Sequence, residues 1–144
     1  MDTVITQAKL FIGGFIAALS GFLGGMDGIM YALVAFISID YVTGVLAAAK
    51  KHKLSSEIGF WGLLKKFLIL CIIGVANIID TKIIGGQDIF RTAISLYYIG
   101  NEGVSIMENA AVLGLPLPKQ LVNALVQLRD KNDTADEKKD ENKK

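Results

Sequence analysis

The chain reads as an all-α integral membrane protein. It is expected to have about four transmembrane helices (a helical hairpin plus two), a short amphipathic C-terminal helix and a disordered charged tail. Three observations predict this. Of 144 residues 52% are hydrophobic, and mean hydropathy is +0.47; such values are high for a soluble domain and ordinary for a small membrane protein. Charge is segregated: between Phe11 and Ala49 the only charged residues are Asp27 and Asp40, whereas twelve of the sixteen residues from Arg129 to Lys144 are charged, six of each sign. Apolar runs also recur that are long enough for a bilayer core of about 30 Å, which takes about 20 helical residues to cross.

The first segment, Val4 to Gly25, is interrupted by a single charge, Lys9. Small residues before Gly24 would suit a signal peptide, but the start MDTVITQAK has an acid and one lysine, a poor positive n-region. Met26-Asp27-Gly28 is a turn, and Ile29 to Ala49 supplies twenty-one apolar-rich residues, enough to span. The two segments are expected to form a tight hairpin. Residues 50–66, KKHKLSSEIGFWGLLKK, carry five lysines and one glutamate, with Phe60 and Trp61 between the lysines, as where a helix meets the headgroups. Ser55 or Ser56 suits the N-cap of the helix that follows.

The third run, Phe67 to Ile79, has thirteen residues, about 20 Å of helix and too short to span alone. It spans if Lys65 and Lys66 snorkel, or if Ile83 and Ile84 are drawn in; three spans remain the alternative to four. Gly85-Gly86-Gln87 is a turn. Ile89 to Leu113 is the fourth and least apolar segment, ended by Gly114 and the prolines of LGLPLP. Lys119 to Leu128 places Leu121, Val122, Leu125 and Leu128 on one helical face. The chain thus divides into a membrane helical domain (1–113), an amphipathic helix region (114–130) and a charged disordered tail (131–144). Lys50, Lys51, Lys53, Lys65 and Lys66 place the central loop in the cytoplasm by the positive-inside rule. Two spans on either side then put both termini there.

Composition excludes more than it suggests. The one cysteine, Cys71, has no partner for an internal disulfide, and the one histidine, His52, lies among lysines, so a zinc site lacks ligands. No phosphate loop, nucleophile elbow or acid/base pair on a soluble scaffold is present, so no enzyme activity and no cofactor are expected. The net charge of +1 averages an apolar body and a salty tail and gives no reason to expect a nucleic-acid partner. Membrane lipid is the expected surrounding.

Two kinds of pattern stand out. Gly13, Ala17, Gly21 and Gly25 recur every four residues, a bare ridge of the kind that permits close helix packing in lipid. Asp40, Gly44 and Ala48 form a second row. These rows serve packing within the chain, self-association between chains, or both. In the fourth segment Arg91, Tyr98, Asn101, Glu102, Ser105, Glu108 and Asn109 fall within an arc of about 120° at about 100° per residue, with Ile94 and Val112 interrupting. An unpaired acid facing lipid costs roughly 2.5–3.5 kcal/mol, so this face looks at protein or at water. It is a static polar seam, a membrane-surface helix, or the lining of an aqueous path in an assembly. Asp40, mid-membrane, is expected to be neutral or paired. Arg91 is one candidate partner, though its expected depth matches poorly.

Several blocks in order carry a family resemblance: DYVTG at 40–44, KLSSEIGFWGLLKK at 53–66, Asp80 closing the third run, and YYIGNEGVSIMENAAVLGLPLP at 97–118 before a short helix ending LRDK. Together they cover most of residues 30–130, and the chain resembles the phage holin family that includes the clostridial toxin-secretion holins. The resemblance implies a non-enzymatic, multi-pass protein of the bacterial cytoplasmic membrane. Such a protein accumulates, homo-oligomerises and opens lesions at a set time, through which an endolysin or a toxin passes without needing direct contact. Two other classes fit the residues. One is a small proton- or cation-coupled transporter exchanging at Asp40 or Glu102; the other is an inhibitor that co-assembles with a holin.

Overall fold

The computed structural model describes residues 1–124 and Gln127. Its elements are four helices: α1 (Asp2–Phe22), α2 (Gly28–Lys50), α3 (Ser56–Ile79), prolonged by a π-helical turn (Asp80–Ile84), and α4 (Ile89–Leu113). Local chemistry sets most of the ends. Asp27 caps α2, its Oδ1 accepting from the Met30 N–H at 2.8 Å. Ser55 caps α3, its Oγ accepting from the Ile58 N–H at 3.2 Å. Both are the shape an N-cap oxygen needs to satisfy an otherwise orphaned donor. Gly114, in the left-handed region at φ +92°, closes α4 where the Leu-Pro-Leu-Pro run begins. Residues 119–124 are helical again. The remainder of the expected amphipathic helix, with Leu125 and Leu128, and the tail from 131 lie outside the described residues.

Three helices are long and apolar enough to cross a membrane: Asp2–Phe22, Gly28–Lys50 and Ser56–Ile84. The third corrects the reading of a short run. The helix starts eleven residues before Phe67 and continues through Ile83 and Ile84 without a break, so it has span length and needs no thinning of the bilayer. α4 has the length, 25 residues, but carries Arg91, Glu102 and Glu108.

The bundle is centred on α2, α3 and α4. α2 packs most extensively on α4, and α3 seats on both. Leu23, Met30, Leu33, Ile37, Ile69 and Ile73 form the buried core, with Ile94, Tyr98 and Ile99 of α4 against it. The expected tight hairpin of the first two segments does not form: among the described residues α1 touches α3 and makes no close approach to α2. None of its residues is buried. Its seat is at its C-terminal end, where the Phe22 ring lies on Gly74 so closely that a methyl there would collide with it. A core needs interlocking side chains, and α2 presents its apolar residues to α4 instead.

Candidate functional site

Buried charges in this bundle gather in two places. The first is mid-helix. Asp40 of α2, Lys66 of α3 and Glu102 of α4 each lie near the middle of their helices and meet at one nitrogen. Lys66 Nζ donates to Asp40 Oδ2 at 2.6 Å and to Glu102 Oε2 at 2.5 Å. The side chains of Lys66, Asp40 and Glu102 are 11%, 12% and 6% exposed. Asn109, two turns beyond Glu102 on α4, donates to Asp40 Oδ1 and to Thr43 Oγ1, both at 3.1 Å. Gly44 leaves room for that amide: a Cβ there would lie 3.6 Å from Asn109 Nδ2. Each helix of the core bundle thus contributes one charge, and the α2–α4 contact is stitched by an amide a little further along.

The second cluster lies at the end of the bundle away from the lysine-rich loop. The Arg91 guanidinium, 1% exposed, donates through Nη1 to Asp27 Oδ2 at 2.6 Å, through Nε to the Leu23 carbonyl at 2.6 Å and through Nη2 to the Gly25 carbonyl at 2.9 Å. Gly24 permits the approach, because at φ +82° any Cβ would stand 2.7 Å from Arg91 Nε. Asp80 accepts from the backbone N–H groups of Phe90 and Arg91 at 3.0 and 2.8 Å, an acid at the N-terminus of α4 where the helix dipole favours it. Asn77 Nδ2 donates to the Phe22 carbonyl at 3.1 Å. The Arg91 hydrogen bond, followed by that from the Met30 N–H, holds the Asp27 carboxyl below its ordinary range.

These positions change the partner assignments. Arg91 is not the partner of Asp40; eleven residues of α4, about 16 Å of helix, separate it from Glu102. The partner is Lys66, placed at the headgroups by sequence reasoning. Eleven residues into α3, Lys66 falls on the face that meets α2 and α4, whereas Lys65, about 100° round the helix, is exposed. Lys50, Lys51 and Lys53 are exposed around the α2–α3 loop. Of the polar arc on α4, Arg91 and Glu102 are buried, Tyr98, Ser105 and Asn109 are half-buried, and Asn101 and Glu108 are exposed. Of the small-residue rows, Gly44 meets α4, but a Cβ added at Gly13, Gly21 or Gly25 would meet nothing within 4 Å, and Ala17 is exposed; Gly25 lies beyond the end of α1, its carbonyl held by Arg91. Sequence reasoning missed Asp27 and Asn77 as partners. The signal for Asp27 was present: it is the other charge in the long uncharged stretch.

A small helical membrane protein whose ionisable groups pair with one another within the bundle is the class that this fold and these contacts define. The chain belongs to the bacteriophage holin family, whose model matches residues 17–130. It is 38% identical over 103 residues to a probable holin of Bacillus phage phi105, covering 72% of this chain and 76% of that protein. An uncharacterized 14.9 kDa protein from the nagH 3' region of Clostridium perfringens is 40% identical over 131 residues, 91% of this chain and 99% of that one. A Listeria monocytogenes protein, Lmo0128, is 36% identical over 132 residues, 92% and 94% of the two chains. No solved structure matches the chain. Family membership points to a non-enzymatic membrane protein.

Proposed function

We propose that this protein is a working holin: it accumulates in the bacterial cytoplasmic membrane, assembles with copies of itself and opens lesions through which an endolysin or a toxin crosses. The observation that carries the reading is the burial of Glu102, at the centre of the α4 polar face, against α2 and α3, with Glu102 and Asp40 sharing Lys66. A single copy in this form offers lipid little unpaired charge, so it is a stored, closed state. Parting α4 from α2 and α3 would strand those groups unless water reached them, which is the condition at a lesion wall. Two conformations of this kind can be shifted by accumulation or by loss of membrane potential. In this reading all four helices cross, α4 sheltered by its neighbours, and both termini lie in the cytoplasm with the lysine-rich loop. The unoccupied ridge of Gly13, Ala17 and Gly21 on α1 is where a second copy packs.

The experiment is induced expression in a bacterium while membrane potential and release of a cytosolic enzyme are followed together. Abrupt depolarisation, with lysis once a muralytic enzyme is co-expressed, is the expected result. Intact potential at high membrane levels of the protein would favour an inhibitor or a transporter instead.

A further inference from the structure

We propose that the Asp40–Lys66–Glu102 cluster is a proton-binding site that holds one exchangeable proton between its two carboxyls and takes it from the side of the lysine-rich loop. Charge counting comes first. Two carboxylates and one ammonium leave one negative charge uncompensated, among side chains at most 12% exposed. Among the described residues, the charged and titratable groups around the cluster supply no second cation. α2 offers Asp40 and Tyr41, α3 offers Lys66, and α4 offers Glu102 with Tyr98 one turn before it and Glu108 beyond. Lys65 is exposed on the far side of its helix, and Arg91 is committed to Asp27 and two carbonyls at the bundle end. Asn109 satisfies Asp40 Oδ1 with a neutral amide, which supplies a hydrogen bond and no charge.

Geometry comes second. Both carboxyls are bonded to the same nitrogen, so their oxygens can be no farther apart than the two bonds laid end to end. Like charges that close in a low-dielectric interior do not both stay ionised; the pair takes up a proton. Access comes third. A cleft of about 180 Å³ between α2 and α3 has Leu54 and Ile58 at the loop end, passes the small residues Gly44, Ala48, Gly59 and Gly62, and ends at Asp40 and Lys66. It is wide enough to admit water from the loop end to the cluster. Binding is a simple transfer: a proton from water forms one carboxyl O–H bond, and release returns it to water. With the proton the cluster is neutral. Without it, the charge on α2 repels the charge on α4 across the bundle's main contact. On the holin reading above, proton loss therefore favours opening; the proton site itself does not depend on that reading.

The test is infrared spectroscopy of the full-length protein in lipid vesicles, with Asp40→Asn, Glu102→Gln and Glu108→Gln beside the parent. A protonated-carboxyl C=O band is expected at neutral pH, lost on alkalinisation, removed or shifted by Asp40→Asn or Glu102→Gln, and unchanged in Glu108→Gln. No such band in the parent, or a band indifferent to both cluster variants, overturns the proposal whatever the protein does in cells. Filling the cleft with Gly62→Val tests the route: slower hydrogen–deuterium exchange of the band supports entry from the loop side, and an unchanged rate overturns it. Circular dichroism on each variant verifies that the helices persist.

Discussion

The two charge clusters are built from the same residue types and are opposite in character. At the Arg91 end, one guanidinium meets one carboxylate and two carbonyls, and the second acid, Asp80, is spent on the N-terminus of α4. Most partners there are backbone, their positions set by the α1–α2 turn; Arg91 balances Asp27, and the charge of Asp80 is met by the N–H groups at the start of α4 rather than by a cation. At the Lys66 cluster every strong partner is a side chain on a different helix, and the charges do not balance. A cluster of the first kind fixes a corner. A cluster of the second kind holds three helices together only while its protonation and its surroundings favour it.

The comparison breaks most sharply at Arg91. Arg91→Leu leaves two carbonyls and Asp27 without their donor; each buried acceptor left unsatisfied costs about 1–3 kcal/mol, while the half-exposed Asp27 is rehydrated. Membrane accumulation and resistance to protease in detergent are expected to fall steeply; unchanged accumulation would demote this corner to decoration. Lys66→Met comes next. It strands two acids at mid-helix, so depolarisation is expected at several-fold lower protein level than in the parent, read by quantitative immunoblot at the moment of potential loss. A later or unchanged trigger would show that the cluster does not hold the closed form.

Smaller effects sharpen the same contrast. Gly74→Ala places a methyl in the Phe22 ring, but that ring lies at the surface and can swing aside, so the cost is about 1 kcal/mol. The expected signature is faster proteolysis within α1, with the α2–α3–α4 bundle intact. The smallest effect is acid sensitivity at Asp27. Its folded carboxyl is held below the ordinary value of 3.8, chiefly by the Arg91 hydrogen bond. Its contribution is therefore complete above that value and is lost as pH falls through the lower folded value. It is modest because the side chain is half exposed. Thermal unfolding in detergent along an acid series should show the parent converging on Asp27→Asn only at the acid extreme.

Helix number and several ends were legible because they rest on local chemistry: apolar runs, an N-cap serine, and Gly114 before the prolines. That Asp40 needed a partner was legible from the cost of a lone acid in lipid. Which partner it has was not. Lys66 sits beside Lys65 in a stretch that carries the marks of a headgroup anchor, and only the rotation of α3 against α2 and α4 turns one lysine in and the other out. The α1–α2 hairpin failed for a related reason. Adjacency in sequence and a short turn argue for packing, but α2 is apolar nearly all round and does not itself single out α1; its most extensive contact is with α4.

The sequence by itself determined that this is a helical membrane protein, where the basic loop falls, and that Asp40 and Glu102 could not face lipid. Those follow from transfer energies and helical spacing, which each segment carries alone. Only the tertiary structure decided that one lysine serves both acids, that Arg91 closes the α1–α2 corner, and that α1 stands apart with its ridge uncovered. Those depend on the rotation and depth of each helix relative to the others, which is set by the sum of all contacts and written in no single segment.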